Sequence, residues 1–410
     1  MTTGNLSGDG LSQKAPKRVV IIGGSCAGLF TGIVLARMGH NVDIIEVATS
    51  SARYGTAAGI GLAGHVQSFL KQYDRLAETP FALPSECFNV LDENLETIRQ
   101  TLLGYSLTSW DALYYRLRAN FDGLVSPYYP QPPAREATDG QSTFHPGVRA
   151  LRVQDAGESV LIQTHNVGTG ESQDIHADYV VVADGGNSTI RQQLEPALER
   201  RDAGYMVWRG TVPAPKVSRA LLDKLSNTSA FYAVPGQKSY VVMYTIPGEH
   251  GALSDDKKVV NLVWYHWPTG VSREEILTGV DGHCHRTTLP KGHMRPDVWV
   301  AQVEVAKKLM HPDIAQLVAN IEQPFASTIS SIMSTKAFHF GEKLFLVGDA
   351  LAQVQPNIGL GTNVAAKAAL TLRDVFSGQL SAKEFEITVL GEGREVNEKA
   401  IALGDSFMAV

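Results

Sequence analysis

The chain has 410 residues, of which 44% are apolar and 19% charged, and its 36 basic and 42 acidic residues give a net charge of −6. This balance disfavours a nucleic-acid binder, and the length predicts two or three domains with a large core. The three cysteines, Cys26, Cys87 and Cys284, form no C-x-x-C pair, which argues against a disulfide framework or a zinc site. Residues 1–15 are polar and predict a disordered tail, and no run reaches the ~18 apolar residues of a membrane span. These features together predict a cytoplasmic protein.

The first folding unit combines a buried strand, a glycine-rich turn and a helix. Residues 19–22 are continuous and β-branched, as in a parallel strand buried on both faces. The turn Gly23–Gly28 follows, and a helix at about 27–38 would present its N-terminus to a pyrophosphate. A second strand at 41–46 ends in Glu46, whose carboxylate is suited to accept hydrogen bonds from ribose hydroxyls. The unit therefore predicts dinucleotide binding.

The glycine pattern of this turn is imperfect. Ser25 occupies the place of the second glycine in the G-x-G-x-x-G fingerprint. The literal pattern occurs later, at Gly59–Gly64, but no suitable strand precedes it. We interpret that second match as a coincidence.

Two distant acidic residues carry the most information in the chain. Asp184 follows the apolar run 179–183, and Asp349 follows the run 344–348. A strand that ends in glycines, with two distant strands that each end in Asp, is an arrangement that wraps one large dinucleotide, and it predicts FAD.

The segment that follows Asp349 forms a second group of candidate residues. It runs from Gln355 to Asn363 and leads into a helix that continues to about residue 375. Thr362 or Asn363 is expected to cap this helix. Its N-terminus would then stabilise negative charge on a reduced flavin, although an ordinary capped turn is the alternative.

The middle of the chain differs in composition from both ends. Residues 78–103 could form a strand pair, Ser109 is a helix start, and residues 147–182 alternate like strands. From about 201 to 326, aromatic-rich strands followed by a helical region predict a mostly antiparallel sheet. The predicted fold class is α/β: a Rossmann-like FAD-binding domain with an inserted, mostly antiparallel β-sheet substrate domain. We assign residues 16–77, 104–200 and 327–410 to the FAD-binding domain, and residues 78–103 and 201–326 to the substrate-binding domain.

Three motifs occur in the order and spacing of a known family. They are the glycine turn with Glu46, the pair Asp184-Gly185 with Arg191, and the pair Gly348-Asp349 with Pro356, Gly359 and Gly361. On these motifs nearly the whole chain resembles the single-component FAD-dependent aromatic hydroxylases, a family of flavoprotein monooxygenases. Within the family it is most similar to the 2,6-dihydroxypyridine 3-monooxygenase group, on the segments 109–114, 205–210, 264–265, 285–286 and 290–296.

The resemblance implies a role in FAD binding for each matching residue. Glu46 would bind the adenosine ribose, and Asp349 the ribityl or pyrophosphate side. Asp184 and Gly185 would support the pyrophosphate and, in this family, NAD(P)H. The other implied FAD contacts are Gly23, Gly24, Ser25, Ala27, Gly28, Arg53, Gly59, Arg191, Gly348, Pro356, Gly359, Gly361, Thr362 and Asn363. The chain departs from the family at Trp110, where many members have Arg, and at Ala352, where many have His.

The resemblance also implies a reaction. NADH or NADPH would bind transiently and reduce FAD, O₂ would add to give a flavin C4a-hydroperoxide, and an electron-rich ring would receive one oxygen atom. The implied substrate is a small hydroxylated aromatic or heteroaromatic ring of the hydroxybenzoate or hydroxypyridine type, with oxidative decarboxylation as a variant. Two alternatives stay open: a flavin-dependent dehydrogenase or reductase on the same fold, and a non-catalytic FAD-binding regulator. The assembly state, with a homodimer as one option, also stays open.

The sequence does not identify a catalytic base. Pocket candidates in the aromatic strands are Tyr205, Trp208, Tyr265 and His266. His266 and its neighbours cannot share one face of a strand, so His266 is either a structural or a catalytic residue. His283, His285 and His293 superficially suggest a metal site, but their spacing is loose, and we predict a solvated loop without metal.

Overall fold

The structure, a computed structural model, describes residues 15–50 and 58–408. The predicted tail, except for Ala15, and the predicted FAD contact Arg53 lie outside the described residues. The strands are β1 (Arg18–Ile22), β2 (Asn41–Glu46), β3 (Gly59–Leu62), β4 (Leu83–Leu91), β5 (Thr97–Ser109), β6 (Ser142–Pro146), β7 (Val148–Asp155), β8 (Val160–Asn166), β9 (Ser172–Ala177), β10 (Tyr179–Val182), β11 (Arg201–Pro213), β12 (Thr228–Ala233), β13 (Ser239–Ile246), β14 (Val259–His266), β15 (Thr288–Leu289), β16 (Phe325–Met333), β17 (Phe338–His339) and β18 (Leu344–Leu346). The α-helices are α1 (Cys26–Arg37), α2 (Gly64–Tyr73), α3 (Trp110–Asp122), α4 (Thr189–Leu194), α5 (Arg219–Lys224), α6 (Arg273–Leu277), α7 (Pro296–Leu309), α8 (Pro312–Ala319), α9 (Gly348–Ala352), α10 (Gly361–Phe376) and α11 (Ala382–Met408).

A mostly parallel sheet forms the first layer, with the strand order β17-β18-β10-β1-β2-β6. All neighbouring strands run parallel except β17, which pairs antiparallel with β18 at the edge. Residues 19–21 and 180–182 have no exposed surface, as expected for central strands that are covered on both faces. Because parallel strands point the same way, the carboxyl ends of β1, β10 and β18 meet at one edge of the sheet.

A nine-stranded sheet forms the second layer, in the order β15-β16-β11-β14-β13-β12-β4-β5-β3. Its neighbours pair antiparallel, except for β12 and β4, which are parallel. One face is covered by α7 and α8, which pack in one apolar cluster with Trp208 and Trp264. The other face turns toward the carboxyl edge of the parallel sheet, and Phe407 near the end of α11 packs there against Phe231, with ring centroids 4.5 Å apart.

A small antiparallel sheet of β7, β8 and β9 lies beside the parallel sheet. A hollow of about 550 Å³ separates the two, with Val20 and Ile45 on one side and Thr164 and Gln173 on the other. This hollow lies away from the carboxyl ends of the strands, where open α/β sheets bind their ligands.

The predicted fold class is confirmed, and so are most of the individual elements. The strand pair appears as β4 and β5, the helical region appears as α7 and α8, and the Ser109 hydroxyl accepts a hydrogen bond from the Ala112 N–H at the start of α3. The segment Gly59–Gly64 forms β3 and the start of α2, at the edge of the nine-stranded sheet rather than after a parallel strand. The domain division stays a proposal, and three strands of the nine-stranded sheet, β3, β5 and β16, extend beyond the segments assigned to its domain.

No helix within residues 15–50 and 58–408 combines the length and the apolar character that a membrane crossing needs.

Candidate active site

A cavity of about 680 Å³ lies between the carboxyl edge of the parallel sheet and the open face of the nine-stranded sheet. Ser25, Ala183 and Asp349 line it on the first side, and Val207 and Tyr265 line it on the second. Strand β1 has β2 on one side and β10 on the other, so the cavity lies at the point where the strand order reverses. Open α/β sheets bind their ligands at such a point.

The turn between β1 and α1 can be built only with glycines at two positions. Gly23 has a φ of +106°, and a Cβ there would stand 2.3 Å from the carbonyl oxygen of Ala183. A Cβ at Gly28 would stand 2.0 Å from the carbonyl oxygen of Gly23. Ser25, in contrast, has a φ of −92°, which any residue adopts, so the missing second glycine of the fingerprint does not strain the turn.

The N-terminus of α1 opens into the cavity. The Ser25 side chain makes no capping hydrogen bond to α1, and Ser25, Cys26 and Ala27 all line the cavity. The first-turn N–H groups of a helix need partners, and the helix dipole favours an anion at this end. This end of α1 can therefore hold a phosphate group.

Glu46 supports the same turn from the end of β2. Its carboxylate is buried and accepts hydrogen bonds of 2.8 Å from the Gly24 N–H and 2.9 Å from the Ala48 N–H. A Cβ at Gly24 would lie 2.5 Å from the Phe144 ring, so a larger residue at this position would have to displace that ring. The predicted contact of Glu46 with a ribose stays a prediction.

Asp349 enters the cavity from the end of β18. The preceding Gly348 has a φ of +57°, and a Cβ there would stand 2.4 Å from the Cβ of Ala27, so α9 begins directly against α1. Asp349 lines the cavity and keeps exposed surface there, and desolvation by the protein around it raises the pKa of its carboxyl group to about 6. The positive charges of Arg191 and Arg200 lower this pKa and so limit the increase.

Arg191 binds the backbone of two segments that border the cavity. The buried guanidinium donates hydrogen bonds of 3.0 Å to the carbonyl oxygens of both Asp349 and Ala350, and another to that of Gly186. It thereby connects the loop after β10 to the start of α9. The nearby Asp184 accepts a hydrogen bond from the Thr189 N–H, and burial raises the pKa of the Asp184 carboxyl.

The N-terminus of α10 also reaches the cavity, but without the predicted cap. The N-cap residue is Leu360, and no side chain among the described residues caps the helix. The predicted cap Asn363 instead accepts a hydrogen bond of 2.8 Å from the His65 N–H, in the first turn of α2. That prediction is wrong because α10 begins one residue before Thr362, which puts both candidates inside the helix. The cavity is lined here by Pro356, Gly359, Gly361 and Thr362.

These features fit FAD. A Cβ at Gly185, Gly359 or Gly361 would meet no atom of the described residues within 4 Å, so these residues leave space beside the backbone at both ends of the site. The helices α1 and α10 offer uncapped N-termini to a pyrophosphate and to the anionic edge of a reduced flavin. Asp349 between them offers a carboxylate to hydroxyl groups.

The opposite wall carries one cation among aromatic rings. Arg209 lines the cavity from β11 and lies close enough to Tyr244 and Tyr265 for its positive charge to act on both phenols. Burial raises the pKa of Tyr244 to about 12 and also raises that of Tyr265, so both phenols are neutral donors at pH 7. The Arg209 Nε atom is buried without a hydrogen-bond partner among the described residues. Gly59 completes this wall, because a Cβ there would stand 2.2 Å from the Tyr244 ring.

The four pocket candidates do not lie together. Tyr265 lines the cavity, and Tyr205 lies on the same face of the sheet, where its hydroxyl accepts a hydrogen bond of 2.7 Å from the Asn357 amide. Trp208 and His266 point to the other face, where the His266 ring stacks on Trp264 with centroids 5.0 Å apart. We therefore do not retain Trp208 and His266 as pocket residues.

The prediction missed the cavity residues Arg209, Tyr105 and Asn357. Strand alternation could have identified the first of these, because Tyr205 and Arg209 have the same parity and Trp208 the opposite one. Tyr105 and Asn357 carry no comparable signal, since their positions depend on how β5 and the short 3₁₀ helix Pro356–Ile358 pack.

Comparisons with known proteins bear on the fold and on the cofactor. A family model described as FAD binding domain-like matches residues 202–331. The 2,6-dihydroxypyridine 3-monooxygenase of Paenarthrobacter nicotinovorans is 23% identical over 363 residues, which cover 88% of this chain and 83% of that protein. The 6-hydroxynicotinate 3-monooxygenase of Pseudomonas fluorescens is 28% identical over 210 residues, half of each protein. The solved structure of 2,6-dihydroxypyridine-3-hydroxylase from Arthrobacter nicotinovorans superposes with a TM-score of 0.79 at 22% identity, covering 96% of this chain and 93% of that one.

The resemblance predicted from the sequence motifs is thus confirmed over most of the chain, as are the fold and the FAD cofactor. By its similarity to these proteins, the chain is an enzyme of the FAD-dependent monooxygenase type.

Proposed function

We propose that the protein uses FAD, NADH or NADPH, and O₂ to insert one oxygen atom into a hydroxylated aromatic or heteroaromatic ring that carries a negative charge. The single observation that carries the charge requirement is Arg209, a cation in the wall of the cavity whose buried Nε atom has no hydrogen-bond partner among the described residues. Reduced FAD supplies the chemistry, because it activates O₂ and delivers one of its atoms.

The two walls of the cavity suggest how the site is divided. We propose that Ser25–Gly28 and the N-terminus of α1 hold the pyrophosphate of FAD, with Glu46 at the adenosine ribose. Asp349 would hold the ribityl hydroxyls, and the segment Pro356–Thr362 would face the flavin ring. Arg191 and Gly348 would act indirectly, by holding these segments in place.

The substrate would lie against the nine-stranded sheet, between Arg209 and the flavin. Val207, Val242 and Val263 give this wall an apolar surface suited to an aromatic ring. A carboxylate or phenolate would pair with the guanidinium group of Arg209 through a charge-assisted hydrogen bond. The phenols of Tyr244 and Tyr265 would add neutral donors. A phenolate is also the more electron-rich form of a ring, which favours its oxygenation.

The names of the similar proteins support this substrate class. They act on 2,6-dihydroxypyridine and 6-hydroxynicotinate, two heteroaromatic rings with acidic groups. We extend to this chain only the class, a hydroxylated pyridine or benzoate. The choice between NADH and NADPH, the oxidative decarboxylation variant and the homodimer stay predictions.

The test is oxidation of NADH and NADPH by the yellow protein, with O₂ uptake and product analysis, across hydroxypyridines, hydroxynicotinates and hydroxybenzoates. Isotope-labelled O₂ shows whether an oxygen atom enters the product. We expect one ring class to stimulate oxidation and to gain one labelled atom. Stimulated oxidation without label in the product would indicate a dehydrogenase, and bound FAD that no ring stimulates would indicate a non-catalytic flavoprotein.

Two variants test the role of Arg209. Arg209→Met should raise KM for the anionic substrate about 10–100-fold, the range expected for loss of a charged hydrogen bond. Arg209→Lys, which keeps the charge, should lose less. Arg219→Met is the matched control, since Arg219 is exposed on α5 and is not among the residues that line the cavity. An unchanged KM in Arg209→Met would contradict the proposed role.

A further inference from the structure

The segment between α6 and α7 forms a compact loop around the short strand β15. Its first half is held by backbone hydrogen bonds from the Gly279 N–H to the His283 carbonyl and from the His285 N–H to the Leu277 carbonyl. The Val280 N–H donates to the carbonyl of His293 at 3.0 Å, which brings the chain after β15 back to the chain before it. Residues distant along the loop therefore lie side by side.

Three side chains converge where the two halves of this loop meet. Asp281, His285 and His293 each contribute a nitrogen or carboxylate oxygen, and these atoms all lie within 4.8 Å of one another. The rings of His285 and His293 have centroids 5.7 Å apart. The prediction of a solvated loop rested on loose spacing, on the lack of a clear carboxylate partner and on flavin chemistry that needs no metal, and the fold removes the first two objections.

The hydrogen bonds of the described residues do not account for this convergence. Nε2 of His285 and Nδ1 of His293 are both buried without a hydrogen-bond partner there. The closest approach between a ring and the carboxylate is 3.6 Å, from Nδ1 of His293 to Oδ2 of Asp281, which is too long for a hydrogen bond. The other carboxylate oxygen, Oδ1, accepts from the His283 N–H at 3.1 Å and so orients Asp281.

We propose that Asp281, His285 and His293 bind a divalent transition-metal ion, Zn²⁺ being the best match. Zn²⁺ binds imidazole nitrogen and carboxylate oxygen at about 2.0–2.2 Å in tetrahedral geometry, with water able to take the fourth position. Ligand atoms around such an ion stand roughly 3.4 Å apart, so small side-chain rotations from the observed positions close the site. Mg²⁺ and Ca²⁺ are poor alternatives because they prefer ligand sets made of oxygen.

The ion would act on one wall of the active-site cavity. Its ligands lie on both sides of β15, so binding closes the loop between Asp281 and His293 around that strand. Thr288 in β15 pairs with Ser327 in β16, and Thr287, Thr288 and Ser327 all line the cavity. Metal binding would thus restrain the backbone that carries these three residues.

The test uses tag-free protein with its FAD bound, stripped with a chelator and titrated with Zn²⁺ against a chromophoric competitor. We expect about one tightly bound equivalent. Asp281→Asn, His285→Gln and His293→Gln should each weaken binding by about tenfold or more, the scale on which altered metal sites lose affinity. Asp281→Asn keeps the Oδ1 acceptor for the His283 N–H, so the loop conformation is retained.

The controls are His283→Gln and Cys284→Ser, two potential ligands in the same loop that are not part of the site. Both should bind Zn²⁺ as the unaltered protein does. Co²⁺ offers a second readout, because its d–d bands beyond the flavin absorption report nitrogen and oxygen ligands in tetrahedral geometry. Binding well below one equivalent, or affinity that does not depend on the three ligands, would refute the site.

Limited proteolysis tests the proposed restraint separately. Trypsin can cleave after the exposed Arg286, which lies inside the loop that the ion would close. Zn²⁺ should slow this cleavage in the unaltered protein and leave the rate unchanged in Asp281→Asn. Equal rates with and without Zn²⁺ in the unaltered protein would show that the ion does not close the loop.

Discussion

The side-chain amide of Asn357 donates a hydrogen bond of 2.7 Å to the hydroxyl of Tyr205 and so connects the two walls of the cavity. Asn357 belongs to the short segment that would face the flavin, and Tyr205 belongs to β11 of the nine-stranded sheet. The same amide donates to the Tyr240 hydroxyl at 2.9 Å. Buried polar contacts of this kind fix the relative position of two surfaces, because leaving one partner unpaired is costly.

Replacement of Asn357 should lower the stability of the protein more than replacement of Tyr205. Asn357→Ala leaves two buried hydroxyls without their donor and should lower the free energy of unfolding by about 2–4 kcal/mol, whereas Tyr205→Phe should cost about 1 kcal/mol. Denaturant unfolding of both single variants and the double variant gives the coupling energy. Costs that simply add would show that the two side chains do not interact. Substrate-stimulated NAD(P)H oxidation should fall in Asn357→Ala even where FAD stays bound.

Two glycines of α11 provide a matched pair for the same contact. A Cβ at Gly404 would stand 2.5 Å from the Tyr205 hydroxyl and 2.7 Å from the Asn357 amide nitrogen, whereas a Cβ at Gly391 would meet no atom of the described part of the chain within 4 Å. Gly404→Ala should therefore destabilise the protein by about 1–3 kcal/mol through overpacking. Gly391→Ala should stabilise it by up to about 1 kcal/mol, because Ala favours a helix over Gly. Thermal unfolding of the two variants should show shifts of opposite sign, and equal shifts would contradict the close packing at Gly404.

Replacement of Arg191 tests whether its guanidinium group holds the loop after β10 and the start of α9 in place beside the proposed FAD site. Replacement by Met keeps much of the side-chain volume but leaves the carbonyl oxygens of Gly186, Asp349 and Ala350 without their charged donor. We expect a loss of about 2–5 kcal/mol in stability and a faster release of FAD, measured by flavin fluorescence on dilution. Arg191→Lys should be intermediate, since an ammonium group cannot reach three carbonyls with the geometry of a guanidinium. FAD release at the original rate in Arg191→Met would show that the guanidinium does not hold these loops.

The FAD side of the site was predictable because strand direction alone brings its residues together. Gly23, Asp184 and Asp349 are far apart in the chain, but each follows a parallel strand, and the carboxyl ends of such strands share one edge. Their positions thus follow from local patterns that the sequence displays: an apolar run and then a glycine or an acid. Roles that depend on the bound cofactor, such as that of Glu46 at a ribose, are not tested by this geometry.

The substrate side was less predictable because alternation does not say which face of a strand meets the cavity. Trp208 and Arg209 are adjacent, and intuition assigns the aromatic residue to a pocket for an aromatic ring. In the structure, α7 and α8 cover the face of the sheet that carries Trp208, and Arg209 lies on the other face, in the wall of the cavity. Likewise, the sequence predicted Asn363 as a cap of α10, but α2 packs against α10, and the Asn363 side chain accepts a hydrogen bond from the first turn of α2. Both outcomes depend on tertiary packing, which a local pattern does not contain.

Asp349 should make the stability of the FAD-free protein depend on pH. Its pKa is raised from 3.8 to about 6 in the folded state, so the folded protein holds this proton more tightly than the unfolded chain. Its favourable contribution is therefore complete below about pH 4 and is lost as the pH rises through about 6. Asp349→Asn removes this dependence. The melting temperature of the FAD-free variant should exceed that of the unaltered protein at pH 7, and the difference should shrink toward pH 4.

FAD affinity provides the counterpart to this measurement. If Asp349 accepts hydrogen bonds from the cofactor, Asp349→Asn should weaken FAD binding while it stabilises the FAD-free protein. Unchanged FAD affinity in this variant would show that the Asp349 carboxyl group does not bind the cofactor, even where the FAD-free protein becomes more stable.

His266 should affect stability in acid and leave the reaction unchanged. Its ring lies on the face of β14 opposite the cavity, stacked on Trp264, and burial lowers its pKa from 6.5 to about 4. The unfolded chain therefore binds this proton more tightly than the folded protein, and stability is lost as the pH falls from about 6.5 to 4. By linkage, this loss amounts to roughly 2–4 kcal/mol.

His266→Phe separates the structural from the catalytic interpretation of this residue. Phe keeps an aromatic ring against Trp264 but does not titrate, so the variant should resist unfolding at pH 5 better than the unaltered protein does. Because the ring does not reach the cavity, kcat and the pH profile of substrate-stimulated oxidation should stay the same. A shifted acid limb of the kcat profile in the variant would instead assign His266 a part in proton transfer, against its position on the far face of the sheet.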